Sequence, residues 1–343
     1  MNGSRILPRI LTALVGLVLA PLSLALLAVG SRTWNQYVQT TFYRLDRVPD
    51  LTEPVAMRGL GLILIGILLL VILALTGVWS SAGLLVTVLY ALPAVATAVA
   101  PALLETFWSR SPVPPTVVLD AIGFGLPIAL LPVTAAMGGA LALARRRPAA
   151  PAITALLGMI AVPVMLLLGA LALVWGYSSG VYRALVTFDF RLDPVAAVCT
   201  LLGVVLIVLG ILVTRWSPYA LVLPGLAVPA FSAVVLLPAP VPGIDALLAS
   251  RAGATVWTFL SGGGGPAIGA LFLVFTIVLA GVRLRARRAA RQEEIAAPGA
   301  PRPLGESASP LPPTAASSRT GTSGPSPSAD AGRPAGPSTP TAP

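Results

Sequence analysis

The stretch from residue 59 to residue 103 reads GLGLILIGILLLVILALTGVWSSAGLLVTVLYALPAVATAVAPAL, with no charged side chain between Arg58 and Glu105. A helix needs about 20 apolar residues to cross a hydrocarbon core. This run is far too long for one crossing, and only Trp79, Ser80 and Ser81 interrupt it. It therefore divides into two spans, 59–78 and 82–103, joined by a tight re-entry. Six further stretches have the same character: 6–29, 117–143, 150–175, 194–213, 219–237 and 266–282. The expected fold is an all-α polytopic membrane protein with about eight transmembrane helices.

Composition agrees. Hydrophobic residues make up 56% of the 343 and charged residues 10%, with a mean hydropathy of +0.91. A soluble domain carries roughly 25% charged residues, so this chain cannot build a water-facing surface over its whole length. It has no histidine and one cysteine, Cys199, which rules out an intrachain disulfide and zinc sites built from Cys and His. All 22 basic residues are arginine and none is lysine. With the excess of Ala, Gly, Pro and Val, this points to GC-rich codon usage and a bacterial source. No cofactor and no nucleic-acid partner is expected.

The first span has one competing reading. Arg5 and Arg9 precede it, and Ala28 and Gly30 resemble a small-residue cleavage pattern. A secretory signal has an apolar segment of roughly 7–15 residues, and this run is longer, so a retained span is expected.

Arginine placement sets the expected orientation. RRR at 145–147 and RLRARRAAR at 283–291 mark one face as strongly basic, and with both termini on it that face is cytoplasmic. It should rest against anionic lipid headgroups. Past the last span the chain turns rich in Pro, Ala, Ser, Thr and Gly, so 292–343 is expected to be a disordered tail.

An ordered set of landmarks recurs. Thr41-Phe42-Tyr43-Arg44-Leu45-Asp46 aligns, with one inserted residue, to Thr187-Phe188-Asp189-Phe190-Arg191-Leu192-Asp193. Trp79-Ser80 matches Trp216-Ser217, Leu92-Pro93 matches Val228-Pro229, and the aromatic loop at Phe107-Trp108 matches that at Trp257. The expectation is two parallel four-helix repeats, 1–148 and 149–291. An even span count gives both halves the same orientation about an axis along the membrane normal. The first outer loop is longer, with extra residues at 47–54.

The spans hold no Asp, Glu, Lys, His or Arg near their middles. Such residues mark proton relays and ion paths, so an ion-coupled pump is not expected. Isolated Ser and Thr in the spans are expected to bond their own helix backbone. The outer loops are the distinctive surfaces, and Arg44, Asp46, Arg191, Asp193, Trp108 and Trp257 are the candidate interaction residues. Asp46 and Asp193 could serve as a catalytic pair, but no His, Lys or metal cluster accompanies them. The expected role is non-enzymatic: an envelope scaffold or interaction component with a protein partner. The alternative is a transporter or channel for an apolar or lipid-like substrate at the interface between the repeats.

Overall fold

A computed structural model describes residues 6–45, 49–104, 115–146, 152–236 and 250–296. Every regular element among them is helical. Helix α1 (Ile6–Val38) continues into a π-helical turn, Gln39–Arg44. Then come α2 (Pro54–Thr76), α3 (Ala82–Leu85), α4 (Val88–Val99), α5 (Pro115–Gly123) and α6 (Leu126–Arg146). Helix α7 (Ala152–Tyr177) passes through a second π segment, Ser178–Tyr182, into α8 (Arg183–Thr187). The chain continues through α9 (Pro194–Val213), a 3₁₀ turn at Pro218–Leu221 and α10 (Val222–Leu236). It ends in α11 (Arg251–Ser261) and α12 (Gly264–Ala296).

Seven of these helical segments are long and apolar enough to cross a membrane, so the chain is a multi-pass membrane protein. The region expected as the seventh span is a shorter apolar helix, Pro218–Val234. Large apolar side chains line the perimeter. Leu7, Leu64, Ile153, Leu223 and Ile277 are all more than half exposed, as lipid-facing residues are. Burial identifies the centre: 67% of the apolar window of α6 and 56% of that of α12 are buried, against 28–39% for the other crossing helices.

Two expected spans are broken. The 82–103 run divides at Val86–Thr87, where the hydrogen bonds tighten to i−3: Leu89 N–H donates to Val86 O and Tyr90 N–H to Thr87 O, both at 3.0 Å. The 117–143 run divides at Gly125, whose φ of +68° only glycine adopts without strain. Gly263 makes the same kind of corner between α11 and α12, with φ +77°. The last helix is longer than expected and runs to Ala296, so the arginines at 283–291 continue the crossing helix. Residues 297–343, most of the expected tail, lie outside the described residues.

Small residues set the closest crossings. A Cβ on Gly30 would lie 2.8 Å from both the carbonyl oxygen of Gly59 and the amide of Ile63 on α2. A Cβ on Gly176 would lie 2.5 Å from the amide of Thr200 and 2.7 Å from the carbonyl oxygen of Ala196 on α9. Both helix pairs therefore meet backbone to backbone. Most buried hydroxyls bond their own helix as expected: Ser23 to Ala20 O, Thr76 to Leu73 O, Thr276 to Phe272 O. Thr134 also reaches across to Thr87, oxygen to oxygen 3.2 Å. Thr200 departs from that rule. Its hydroxyl is buried at the Gly176 crossing with no partner among the described residues.

At the arginine-rich end, guanidinium groups cap other helices. The last carbonyls of a helix lack intrahelical partners. Arg145 on α6 donates to the carbonyl of Gly77, just past α2. Arg283 on α12 lies 3.4 Å from the carbonyl of Trp216, just past α9. Arg215 sits 4.8 Å over the Trp216 ring, a cation–π contact.

Candidate functional site

Two cavities adjoin at the opposite end of the bundle. The first is a polar vestibule of about 970 Å³ between α1, α5, α8 and α11. Its polar side is a stripe along α1: Arg32, Asn35, Gln36 and Gln39 follow the i, i+3, i+4, i+7 spacing that puts side chains on one helix face. Arg32 Nη1 bonds Asp120 Oδ2 of α5 at 3.0 Å. The carboxylate is 22% exposed and the guanidinium 46%. Aromatic rings complete the wall: Phe124, Phe188, Phe190 and Trp257.

The second cavity is an apolar cleft of about 550 Å³. Its back is formed by α6, α9 and α12, through Ile128, Val133, Ile207 and Phe272. Its sides are α7 and α10, through Leu167, Leu171, Ala227 and Phe231. Pro163 and Pro224 each line it too. Pro163 lies inside α7, where a proline leaves a gap in the helix ladder, whereas Pro224 is in the first turn of α10, where it leaves none.

Helix α11 and the Gly123–Gly125 corner separate the two. Trp257 and Thr258 face the vestibule, while Val256 and Phe259 face the cleft. Gly123 and Phe124 line the first cavity and Gly125 the second. Two hydroxyls pin this partition. Tyr177 on α7 donates to the carbonyl of Ile122 beside the corner. Ser31 on α1 donates to the carbonyl of Gly262 at the end of α11 and to Leu27 O of its own helix.

Of the candidate interaction residues, Trp257 lies on the vestibule wall. Arg44 is in the π turn after α1, and its side chain lies outside the described residues, as do Asp46 and Trp108. Arg191 does not pair with Asp193. Its Nε is 3.7 Å from Asp189 Oδ1, in the open, with the guanidinium 90% exposed. Asp193 is spent on the fold: its Oδ1 accepts from the amides of Val195 and Ala196 at 3.0 and 3.2 Å and caps α9. Asp50, in the first loop, accepts from both the amide and the hydroxyl of Thr52 at 2.8 Å. The Thr52 amide and then its hydroxyl hold this carboxyl below its ordinary range.

The site residues that sequence reasoning missed are Arg32, Asn35, Gln36 and Asp120. Their signal was the polar stripe after residue 29, which reads as a loop if the helix is stopped where the apolar run stops. The chain matches no protein-family model, no curated protein and no solved structure.

Proposed function

We propose that this chain is a bacterial cell-membrane protein of two parallel four-span repeats that holds a lipid-like molecule in an apolar cleft of the second repeat, without altering it chemically. The observation that carries this reading is the apolar cleft between α7 and α10, walled almost entirely by hydrocarbon and roofed by a polar vestibule. Ligand cavities are commonly mostly apolar, with a few placed polar groups that fix orientation.

Several paired contacts support the repeat. The step from Gly30 to Gly176 is the same as that from Thr41 to Thr187. The steps from Gly59 to Ala196 and from Ile63 to Thr200 equal that from Trp79 to Trp216. The step from Gly125 to Gly263 equals that from Arg145 to Arg283. The pins cross over: Ser31 of the first half reaches the second half's corner, and Tyr177 of the second half reaches the first half's. On this reading α10 and the 3₁₀ turn before it supply the seventh of eight crossings. The arginine clusters put both termini in the cytoplasm, with the basic rim on anionic headgroups, and turn the vestibule outward.

Native mass spectrometry of the chain extracted from its own membrane tests the proposal. Wild type should retain a lipid mass. Ala227→Phe, whose ring enters the cleft, should retain roughly ten-fold less at equal thermal stability. A chain that carries no lipid in either form overturns the reading.

One observation favours a second reading, an envelope scaffold that docks a partner protein on the outer face. Phe188 is 79% exposed and held at φ 55°, a left-handed backbone uncommon for a bulky residue. A protein that co-purifies stoichiometrically and is lost with Phe188→Ser would support docking instead.

A further inference from the structure

The cleft explains where an apolar chain would lie. It leaves open what stands at the polar end. We infer that the vestibule takes a neutral, polyhydroxylated headgroup, so that the amphiphile held by the chain is a glycolipid of the outer leaflet. This deepens the lipid-cleft reading and rests on it.

Charge balance is the first argument. The Arg32 guanidinium is already matched by Asp120 at 3.0 Å, so the vestibule presents no net charge from that pair. An anionic headgroup would gain little here and would find the arginine-rich end of the bundle more attractive. A zwitterionic headgroup would find both charges already matched to each other.

The hydrogen-bond inventory is the second. Asn35, Gln36 and Gln39 each carry a carbonyl acceptor and an amide donor. The ion pair leaves spare N–H donors on Arg32 and spare lone pairs on Asp120. A sugar hydroxyl both donates and accepts, so it can use either kind of group. A phosphate offers acceptors alone and would leave the carbonyls unserved.

Shape and surface are the third. The volume, about 970 Å³, exceeds what a small phosphate headgroup needs. The rings of Phe188, Phe190 and Trp257 supply flat faces. An aromatic face carries partial negative charge, which suits the C–H bonds on the face of a sugar ring. The two linings adjoin at Phe124–Gly125 and at Thr258–Phe259, so on this reading the amphiphile reaches from one cavity to the other around the partition rather than through it.

The test uses the full chain, delipidated in an amine-oxide detergent. It is offered, in turn, diacylglycerol glucoside, phosphatidylglycerol and phosphatidylcholine with identical acyl chains, and retention is read by native mass spectrometry. The glucoside should be retained roughly ten-fold better than either phospholipid. Gln36→Ala and Trp257→Ala should each abolish that preference while phospholipid retention stays the same. Ala227→Phe should lower retention of all three together. If a phospholipid binds as well as or better than the glucoside, or both vestibule variants leave the ratio unchanged, the headgroup inference is overturned and the lipid cleft stands. If no lipid is retained and Ala227→Phe changes nothing, both fall.

Discussion

The seam between α1 and α4 and the seam between α7 and α10 are built on similar frames and end differently. Beside each, a long helix crosses a neighbour through a glycine that admits no side chain: α1 crosses α2 at Gly30, and α7 crosses α9 at Gly176. In the first seam the Tyr90 hydroxyl then donates to the carbonyl of Leu17 at 2.8 Å and ties α4 to α1. In the second, Leu226 and Ala227 stand where the repeat would put a tyrosine, and Ala227 lines a cleft of about 550 Å³. A frame set by backbone contact tolerates either outcome. The two seams differ at this position by a phenol ring and its hydrogen bond, present at Tyr90 and absent at Ala227.

Changing the shared frame should have the largest effect. Gly30→Leu and Gly176→Leu each drive a side chain into a neighbouring backbone, and overpacking of that kind costs about 1–3 kcal/mol or more. Both should sharply reduce the yield of monodisperse protein in size-exclusion chromatography. Gly61→Leu, where an added Cβ meets nothing within 4 Å, should not. If Gly30→Leu is tolerated and Gly176→Leu is not, the two frames are less alike than their contacts suggest.

The capping arginines come next. Arg145→Ala leaves the Gly77 carbonyl without its donor, an expected loss of about 1–3 kcal/mol. Arg283→Ala should cost less, because its contact to Trp216 O is long at 3.4 Å. Thermal unfolding of the two variants in one detergent measures the difference, and an equal loss would erase the asymmetry.

Tyr90→Phe sharpens the comparison directly. It keeps the ring and removes one hydrogen bond, worth about 1 kcal/mol. The measurable outcome is a lower unfolding midpoint together with new lipid retention in the first seam. A variant that unfolds earlier but gains no lipid would mean that the ring alone closes the gap.

The smallest effect is expected in the first loop. The Asp50 carboxyl is held below its ordinary value near 3.8 by Thr52. Its folded pKa is therefore the lower one. Its contribution is present above the unfolded value and is lost as pH falls through the folded value. The wild-type unfolding midpoint should slightly exceed that of Asp50→Asn at neutral pH, and the two should converge as pH falls through the folded value.

The crossings were legible because the bilayer imposes length and apolarity on every span, and residues 59–103 obey both. The corners at Gly125 and Val86–Thr87 were not, because a break inside an apolar run costs nothing in composition. The vestibule was half legible. Trp257 could be picked as an interface aromatic, but Arg32 and Asp120 are far apart in sequence and become partners only when α5 packs on α1. Arg191 and Asp193 were both candidate interaction residues, and only the structure separates them. The N-terminus of α9, with its unpaired amides, is a stronger claimant for Asp193 than a solvated guanidinium is.

The hydrogen bond from Ser31 to the carbonyl of Gly262 joins residues 231 positions apart. Residue 262 leaves the ribosome long after residue 31. At a synthesis rate of roughly 5–20 residues per second, Ser31 waits on the order of ten to fifty seconds before this one bond can form, although Arg32 can pair with Asp120 sooner. Throughout that interval Arg32 and the amides beside it sit at the membrane surface with the second half of the vestibule still unmade. A nascent chain stalled before α11 would leave that polar stripe without its Trp257 wall.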